Sequence, residues 1–310
     1  QMWTAQRALD PARWRETDAV AVDLDAFTEF VQTDSVPHAV IVDATASDDV
    51  AERYTDWLER GIHVVTPNKR AGSGRLDRLA QIRSAGRRRG SHFLYETTVG
   101  AGLPIIQTLR DLIQTGDRVS SIQGIFSGTL AYLFNAYDGA APFSEIVRQA
   151  RARGYTEPDP RDDLSGTDVA RKLVILAREI GLDLELADVT VESLVPPELQ
   201  SGSTDEFLER VTALDGDLWV RFEEARNAGE VLRYVGSIDA AGKATVALQR
   251  FAESHPFGRI RATDNIVEFS TSRYSENPLV VQGPGAGPEV TAGGVFADIL
   301  RLAEYLGATR

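Results

Sequence analysis

The chain has 310 residues, 43% hydrophobic and 25% charged, which suits a globular protein of one large or two moderate domains. A net charge of −13 argues against nucleic acid or an anionic membrane as partner, and the lack of cysteine excludes disulfides, thiolate metal sites and cysteine nucleophiles. No signal-peptide pattern and no apolar run of about eighteen residues is visible, so a cytoplasmic location is expected; His38, His63, His92 and His255 are scattered and make no metal-ligand spacing.

Residues 1–37 contain no glycine, although a dinucleotide fold normally opens with a strand, a G-x-G-x-x-G turn and a helix. Gln1-Met-Trp reads as a start inside a domain, with the first βα unit upstream; a divergent but complete domain is the alternative. From His38 the pattern alternates. A strand over 38–45, a helix over 48–60 stopped by Gly61, a strand over 63–66, a helix around 76–85 and a strand over 92–96 give a βαβαβ rhythm. Gly100-Ala-Gly-Leu-Pro104 opens a further helix to about Thr115. After Arg118 the strands come at short intervals, over 118–126, 231–239, 244–251, 266–271 and 279–282, as in an antiparallel or mixed sheet. Helices over 142–153, 165–181 and 204–228 interleave with them, and a last helix over 291–307 is expected to pack back on the first region.

The densest chemistry lies between Gly154 and Lys172, where five carboxylates and a lysine crowd into nineteen residues. Pro158 and Pro160 are expected to bar a helix in the first half. Ser165 reads as the N-cap of a helix carrying Asp168 and Lys172, four residues apart on one face. Asp168 could instead close a capping box, or the pair could be an ordinary surface ion pair worth roughly 0.3–0.5 kcal/mol. The lysine itself tips the balance towards chemistry. Of 33 basic residues only Lys69, Lys172 and Lys243 are lysine, and a lysine with a lowered pKa can cycle its proton where arginine cannot.

The run from Gly154 to Lys172 resembles the signature of homoserine dehydrogenase. Val64-Val-Thr-Pro-Asn-Lys69, Tyr95-Glu-Thr-Thr-Val-Gly-Ala-Gly-Leu-Pro104, Gly124-Ile-Phe-Ser-Gly-Thr-Leu130 and Gly283-Pro-Gly-Ala-Gly287 leading to Val290–Asp298 follow in the family's order. The similarity runs from about residue 38 to the C-terminus and is greatest to the dehydrogenase half of bifunctional aspartokinase–homoserine dehydrogenases. It implies an α/β fold: a truncated Rossmann-like parallel-sheet dinucleotide domain (1–97), an α+β substrate and dimerisation domain with a mixed sheet (98–285), and a C-terminal helix returning to the first (286–310). It also implies NADP- or NAD-dependent reduction of L-aspartate 4-semialdehyde to L-homoserine, a homodimer, and an aspartokinase fused upstream. A catalytically silent fragment or dimerisation module is the rival expectation, because the phosphate-binding turn is missing.

The resemblance also assigns roles. By it Lys172 would be the general acid/base, Asp168 would orient it or polarise a water, and Lys69, near the nicotinamide and the substrate carbonyl, would stabilise the developing oxyanion or share the acid role. Glu157, with Asp162 or Asp163, takes the substrate ammonium. Thr45, Ala46, Lys69 and Gly287 touch the cofactor. Glu96, Val99, Ala101 and Leu103 match the family's monovalent-cation (Na+ or K+) positions; the residues alone favour a plain helix start, and the resemblance brings the two readings level.

Overall fold

The computed structural model describes residues 21–32 and 36–308; the expected internal start at Gln1-Met-Trp lies outside them. Strands β1 (Ala39–Val42), β2 (Ile62–Val65) and β3 (Phe93–Leu94) form a parallel sheet in that order. β2 is buried throughout, as a central strand covered on both faces must be. On one face lie α3 (Tyr54–Glu59) and α5 (Leu76–Arg89), whose Tyr54, Trp57, Leu58 and Ile82 pack on Ile41, Ile62 and Val64. On the other lies α14 (Pro288–Tyr305). Its Val295, Ile299, Leu302 and Leu306 recur at helical spacing and close over Val65 and Leu94.

The second sheet is mixed and six-stranded. It comprises β4 (Val119–Ile125), β5 (Thr190–Val191), β6 (Glu230–Asp239), β7 (Ala244–Ala252), β8 (Asp264–Thr271) and β9 (Leu279–Pro284). Their order is β5-β7-β6-β4-β8-β9, antiparallel except at β5–β7. The fold class read from the sequence, a parallel sheet followed by an α+β part with a mixed sheet, is therefore the one observed. Helix α10 (Thr167–Glu179) is buried almost throughout and lies on β6. It comes so close that a Cβ at Gly236 would meet Val169 at 3.0 Å and Leu173 at 3.1 Å. On its other side it meets α4 (Lys69–Ser73), where Gly72 faces Ile175. A single helix thus ties the end of the parallel sheet to the mixed sheet.

Several expectations need correction. The helix over 48–60 is two, α2 (Asp48–Glu52) and α3, with a turn at Arg53, whose guanidinium pairs with Asp25 at 2.7 Å. The helix over 204–228 is α11 (Thr204–Arg210), a 3-10 turn and α12 (Asp215–Asn227). Pro160 does not bar a helix. It stands at the first position of α9 (Pro160–Leu164), where its missing N–H costs nothing, and Asp159 caps it. Ser165 is not the N-cap of α10. Gly166 takes that place at φ +72°, because the Tyr234 hydroxyl and Val191 leave no room for a Cβ. α14 starts at Pro288 rather than 291, again with proline at a first turn. The short helices α4, α9 and α13 (Pro256–Arg259), strand β5, and α7 (Gly128–Ala136) were not foreseen.

Candidate active site

Lys69 is placed by the turn that ends β2. Thr66 Oγ1 donates to the Asp43 carbonyl (2.7 Å) and accepts from the Asn68 N–H (2.8 Å). The Asn68 amide donates to Asp43 Oδ2 and to the Ser47 carbonyl, both at 2.9 Å, while its oxygen caps α4 at the Arg70 N–H. Tyr54 also donates to Asp43. This buried network gives Thr66-Pro-Asn-Lys69 its fixed shape and makes Lys69 the first residue of α4.

Because α4 packs on α10, Lys69 meets Asp168. The two Asp168 oxygens divide between lysines: Oδ1 lies 3.1 Å from Lys69 Nζ, and Oδ2 lies 2.8 Å from Lys172 Nζ. Lys172 also donates to the Phe126 carbonyl at 2.6 Å. Asp168 therefore closes no capping box. Burial alone would raise its carboxyl, but Lys172 and Lys69 overcome that and hold it well below the usual carboxylate range. Lys172 is 8% exposed. Its burial lowers the ammonium's pKa from the ordinary lysine value, Asp168 opposes that, and Lys69 adds to it.

These groups face a cavity of about 310 Å3. Glu157 and Asp163 line it, as do Pro67, Thr97, the Ser127-Gly-Thr129 start of α7, and Gly285-Ala-Gly287 ahead of α14. Asp163 is pushed up to about 6 by burial, with Glu157 and Asp168 adding to the rise; its Oδ2 accepts the Glu157 N–H at 2.8 Å. Asp162 is exposed and does not line the cavity. Thr45 and Ala46 are exposed just beyond the carboxyl end of β1 and lie outside the cavity lining; the Thr45 N–H is bonded to Asp43 at 2.7 Å. Gly287 lines the cavity as the N-cap of α14 at φ +118°. Ser127, Gly128 and Thr129 were missed as site residues, although the Ser-Gly-Thr of the quoted motif was the available signal.

Glu96 lies deeper. Its two oxygens accept the N–H groups of Ile106 (2.7 Å) and Gln107 (2.8 Å) at the start of α6 (Ile105–Gln114), and its own N–H donates to Asp298 of α14 at 3.0 Å. Burial pushes the carboxyl up to about 7. Among the described residues no ion pair reaches it. Val99, Ala101 (φ +52°) and Leu103 form the turn before α6, and the Leu103 carbonyl already accepts the Ile105 N–H.

A parallel sheet whose strand ends lead to a cavity with two lysines and three carboxylates, closed by a glycine-rich turn, has the layout in which α/β folds hold ligands beyond the carboxyl ends of their strands. Comparison with known proteins makes the family specific. A family model described as "Homoserine dehydrogenase" matches residues 104–300, and one described as "Homoserine dehydrogenase, NAD binding domain" matches residues 3–96. The homoserine dehydrogenase of Schizosaccharomyces pombe is 45% identical over 297 residues, covering 93% of this chain and 79% of that protein. A chloroplastic bifunctional aspartokinase/homoserine dehydrogenase 2 of Arabidopsis thaliana is 54% identical over 314 residues, covering 99% of this chain. The chain spans about a third (34%) of that bifunctional relative. Among solved structures, a Candida auris protein of unknown function superposes with a TM-score of 0.89 at 41% identity, covering 96% of this chain and 85% of its own. The chain belongs to the homoserine dehydrogenase family.

Among the described residues no helix is long and apolar enough to cross a membrane, and no cluster of His, Cys, Asp and Glu has the grouping of a metal centre.

Proposed function

We propose that this chain carries the reduction of L-aspartate 4-semialdehyde to L-homoserine. The observation that carries this reading is Asp168 bridging Lys69 and Lys172 inside a cavity shared with Glu157 and Asp163. A nicotinamide cofactor, NADP or NAD, supplies the hydride when bound. The residues present fit its reactive end: the lining by Gly285, Ala286 and Gly287 is poor in side chains, and the buried Thr97 hydroxyl beside it has no hydrogen-bond partner. Lys69, Gly287 and Thr97 hold that end, with Thr45 and Ala46 further along at the end of β1.

Lys172 holds the proton. Two of its three donors go to Asp168 and Phe126, which leaves the third for the substrate's carbonyl oxygen. Its lowered pKa suits a group that gives a proton away at neutral pH. Asp168 keeps it oriented, and Lys69 offsets the negative charge that grows on the oxygen. Glu157 and Asp163 receive the substrate ammonium, and the amino-terminal end of α7 at Gly128 and Thr129 suits its carboxylate. Excluding water from this cavity strengthens each of these interactions.

Three finer proposals accompany this one. A monovalent cation, Na+ or K+, sits against Glu96 with backbone carbonyls of Val99, Ala101 and Leu103, supported by a buried carboxylate that no ion pair reaches among the described residues. Adding Na+ or K+ at constant ionic strength should raise the Tm of the native chain and leave Glu96→Gln unmoved. The chain forms a homodimer, supported by the edge strand β9 with its exposed Val280, and light scattering decides it. Units 1–97, 98–285 and 286–310 act as cofactor part, substrate part and returning helix, and in the intact protein an aspartokinase precedes them, as in the bifunctional relatives.

The test is the initial rate of NADPH oxidation by the purified chain with L-aspartate 4-semialdehyde. A rate that vanishes in Lys172→Arg supports the reading. No rate from the folded native chain, with cofactor shown to bind, overturns it.

A further inference from the structure

We infer that Asn265 is a positioning residue for Lys172, acting through the carbonyl of Phe126; this rests on the dehydrogenase reading above. Phe126 follows β4 and precedes the start of α7. Its carbonyl receives two donors, Lys172 Nζ at 2.6 Å and Asn265 Nδ2 at 3.1 Å. One lone pair serves each, so the amide fixes the plane of the acceptor on which the ammonium rests.

Among the described residues no other contact accounts for a polar residue there. Asn265 is 0% exposed on β8, where an apolar side chain would pack without penalty. Its oxygen has no hydrogen-bond partner, a burden the fold tolerates only if the amide N–H matters. The chain also makes room for it. A Cβ at Gly285 would overlap the Asn265 amide, so the first glycine of Gly285-Ala-Gly287 lies directly over it. Asn265 therefore touches both the turn proposed to meet the cofactor and the acceptor of the proton-carrying lysine. The charged groups facing Lys172 are Asp168 on its own helix, Lys69 on α4 and Asp163 on α9, and Asn265 changes none of them. Its contribution is to keep a neutral acceptor aimed at the ammonium. With the amide gone, the Phe126 peptide loses that constraint, the charged form of Lys172 loses part of its support, and its pKa falls.

The chain contains only three lysines, which makes a direct measurement practical. Lysine labelled with 13C at Cε gives three resonances, and Lys172 is assigned from the signal missing in Lys172→Arg. In Asn265→Leu, which keeps the shape and drops the amide, the Lys172 titration midpoint should fall by about one pH unit. The basic limb of the pH–rate profile should move with it. Turnover should drop about tenfold while KM for both substrates stays put. Asn265→Ser, which adds no bulk, should shift the midpoint the same way and serves if the leucine variant does not fold. A folded variant whose Lys172 titrates at the native midpoint overturns the inference. A folded native chain that binds the cofactor and fails to reduce the semialdehyde overturns the dehydrogenase reading instead, and the titration still reports on Asn265.

Discussion

Helix α10 carries a carboxylate cluster at each end, and the two differ in their cations. Near its start, Asp168 is shared by Lys69 and Lys172, and its side chain is 43% exposed to the cavity. At its last residue, Glu179 is shared by Arg83 (2.8 Å) and Arg110 (2.7 Å), receives the Tyr95 hydroxyl, and is 6% exposed. Burial by itself would raise both carboxyls; in both cases the cations reverse the effect and hold them down. The architecture is the same, one carboxylate between two cations, but the arginine cluster cannot release a proton. It joins α5, the turn after β3, α6 and α10, with the Arg110 guanidinium 4.9 Å from the Tyr95 ring centre, and acts as a latch between the first sheet's helices and α10. The lysine cluster opens on a cavity and can titrate. Cation identity and exposure, rather than the ion-pair geometry, separate the cluster proposed to carry the proton from the structural one.

The sharpest test exchanges the cation. Lys172→Arg makes the first cluster resemble the second: charge is kept and proton release is lost. NADPH oxidation should fall about 1,000-fold, roughly 4 kcal/mol of transition-state stabilisation, with Tm nearly unchanged. Near-native turnover would remove the distinction between the clusters.

The converse change strikes the latch. Glu179→Gln leaves two guanidinium groups without their carboxylate and should cost about 3 kcal/mol of stability, read from denaturant midpoints. Turnover of the molecules that remain folded should hold. A variant that kept its stability and lost its activity would give the latch a catalytic role that this comparison denies it.

A smaller effect sharpens the account of how the lysine is tuned. In Asp168→Asn the carboxylate that favours charged Lys172 is gone, while Lys69 remains close. The Lys172 pKa should therefore drop further. In the reduction direction, where the ammonium is the acid, the basic limb of the pH–rate profile should move to lower pH. Turnover at neutral pH should fall by about tenfold. A limb that moved upward would place the acid elsewhere.

The lysine cluster was half legible in the sequence. The spacing of Asp168 and Lys172 implies a shared helix face, and Thr66-Pro-Asn-Lys69 implies a strand end. That Lys69 and Lys172 meet on one carboxylate was not legible, since 99 residues separate Lys69 from Asp168 and only the packing of α4 on α10 joins them. α4 escaped notice because five residues are too few to display a helical period. Asp162 and Asp163 could not be told apart for a related reason. On α9 neighbouring residues point about 100° apart, and the start of the helix, set by Asp159 and Pro160, decides which faces inward. The arginine cluster left no trace, since its members come from four elements. The two sheets, by contrast, follow from strand spacing and hydrophobic runs, which are local.

The smallest effect separates both clusters from a third titrating site at the far end of the parallel sheet. Asp168 and Glu179 have depressed pKa values, so the stability they confer is present above the ordinary carboxylate range and is lost only as pH falls below about 4. His63 on β2 behaves differently. It is stacked 5.4 Å from His92, lies tilted 6.0 Å from His38, and its Nδ1 accepts the His92 N–H at 2.9 Å. Burial, and to a lesser degree His92 and His38, lower its pKa from 6.5 to about 4. Between those values the unfolded chain binds a proton that the folded chain refuses, so the His63 contribution weakens stability as pH drops from 6.5 towards 4. Over the same interval Asp163 and Glu96, raised to about 6 and about 7, take up protons in the folded chain and act in the opposite sense, so the His63 contribution is read from the difference in Tm slope between the native chain and a His63 variant. In His63→Asn, whose Oδ1 can still accept the His92 N–H, Tm should fall less, or rise more, as pH drops from 6.5 towards 4, although the baseline Tm is lower. An unchanged slope would mean that His63 keeps its ordinary pKa in the folded chain, and that its burial beside His92 and His38 does not make it a third titrating site.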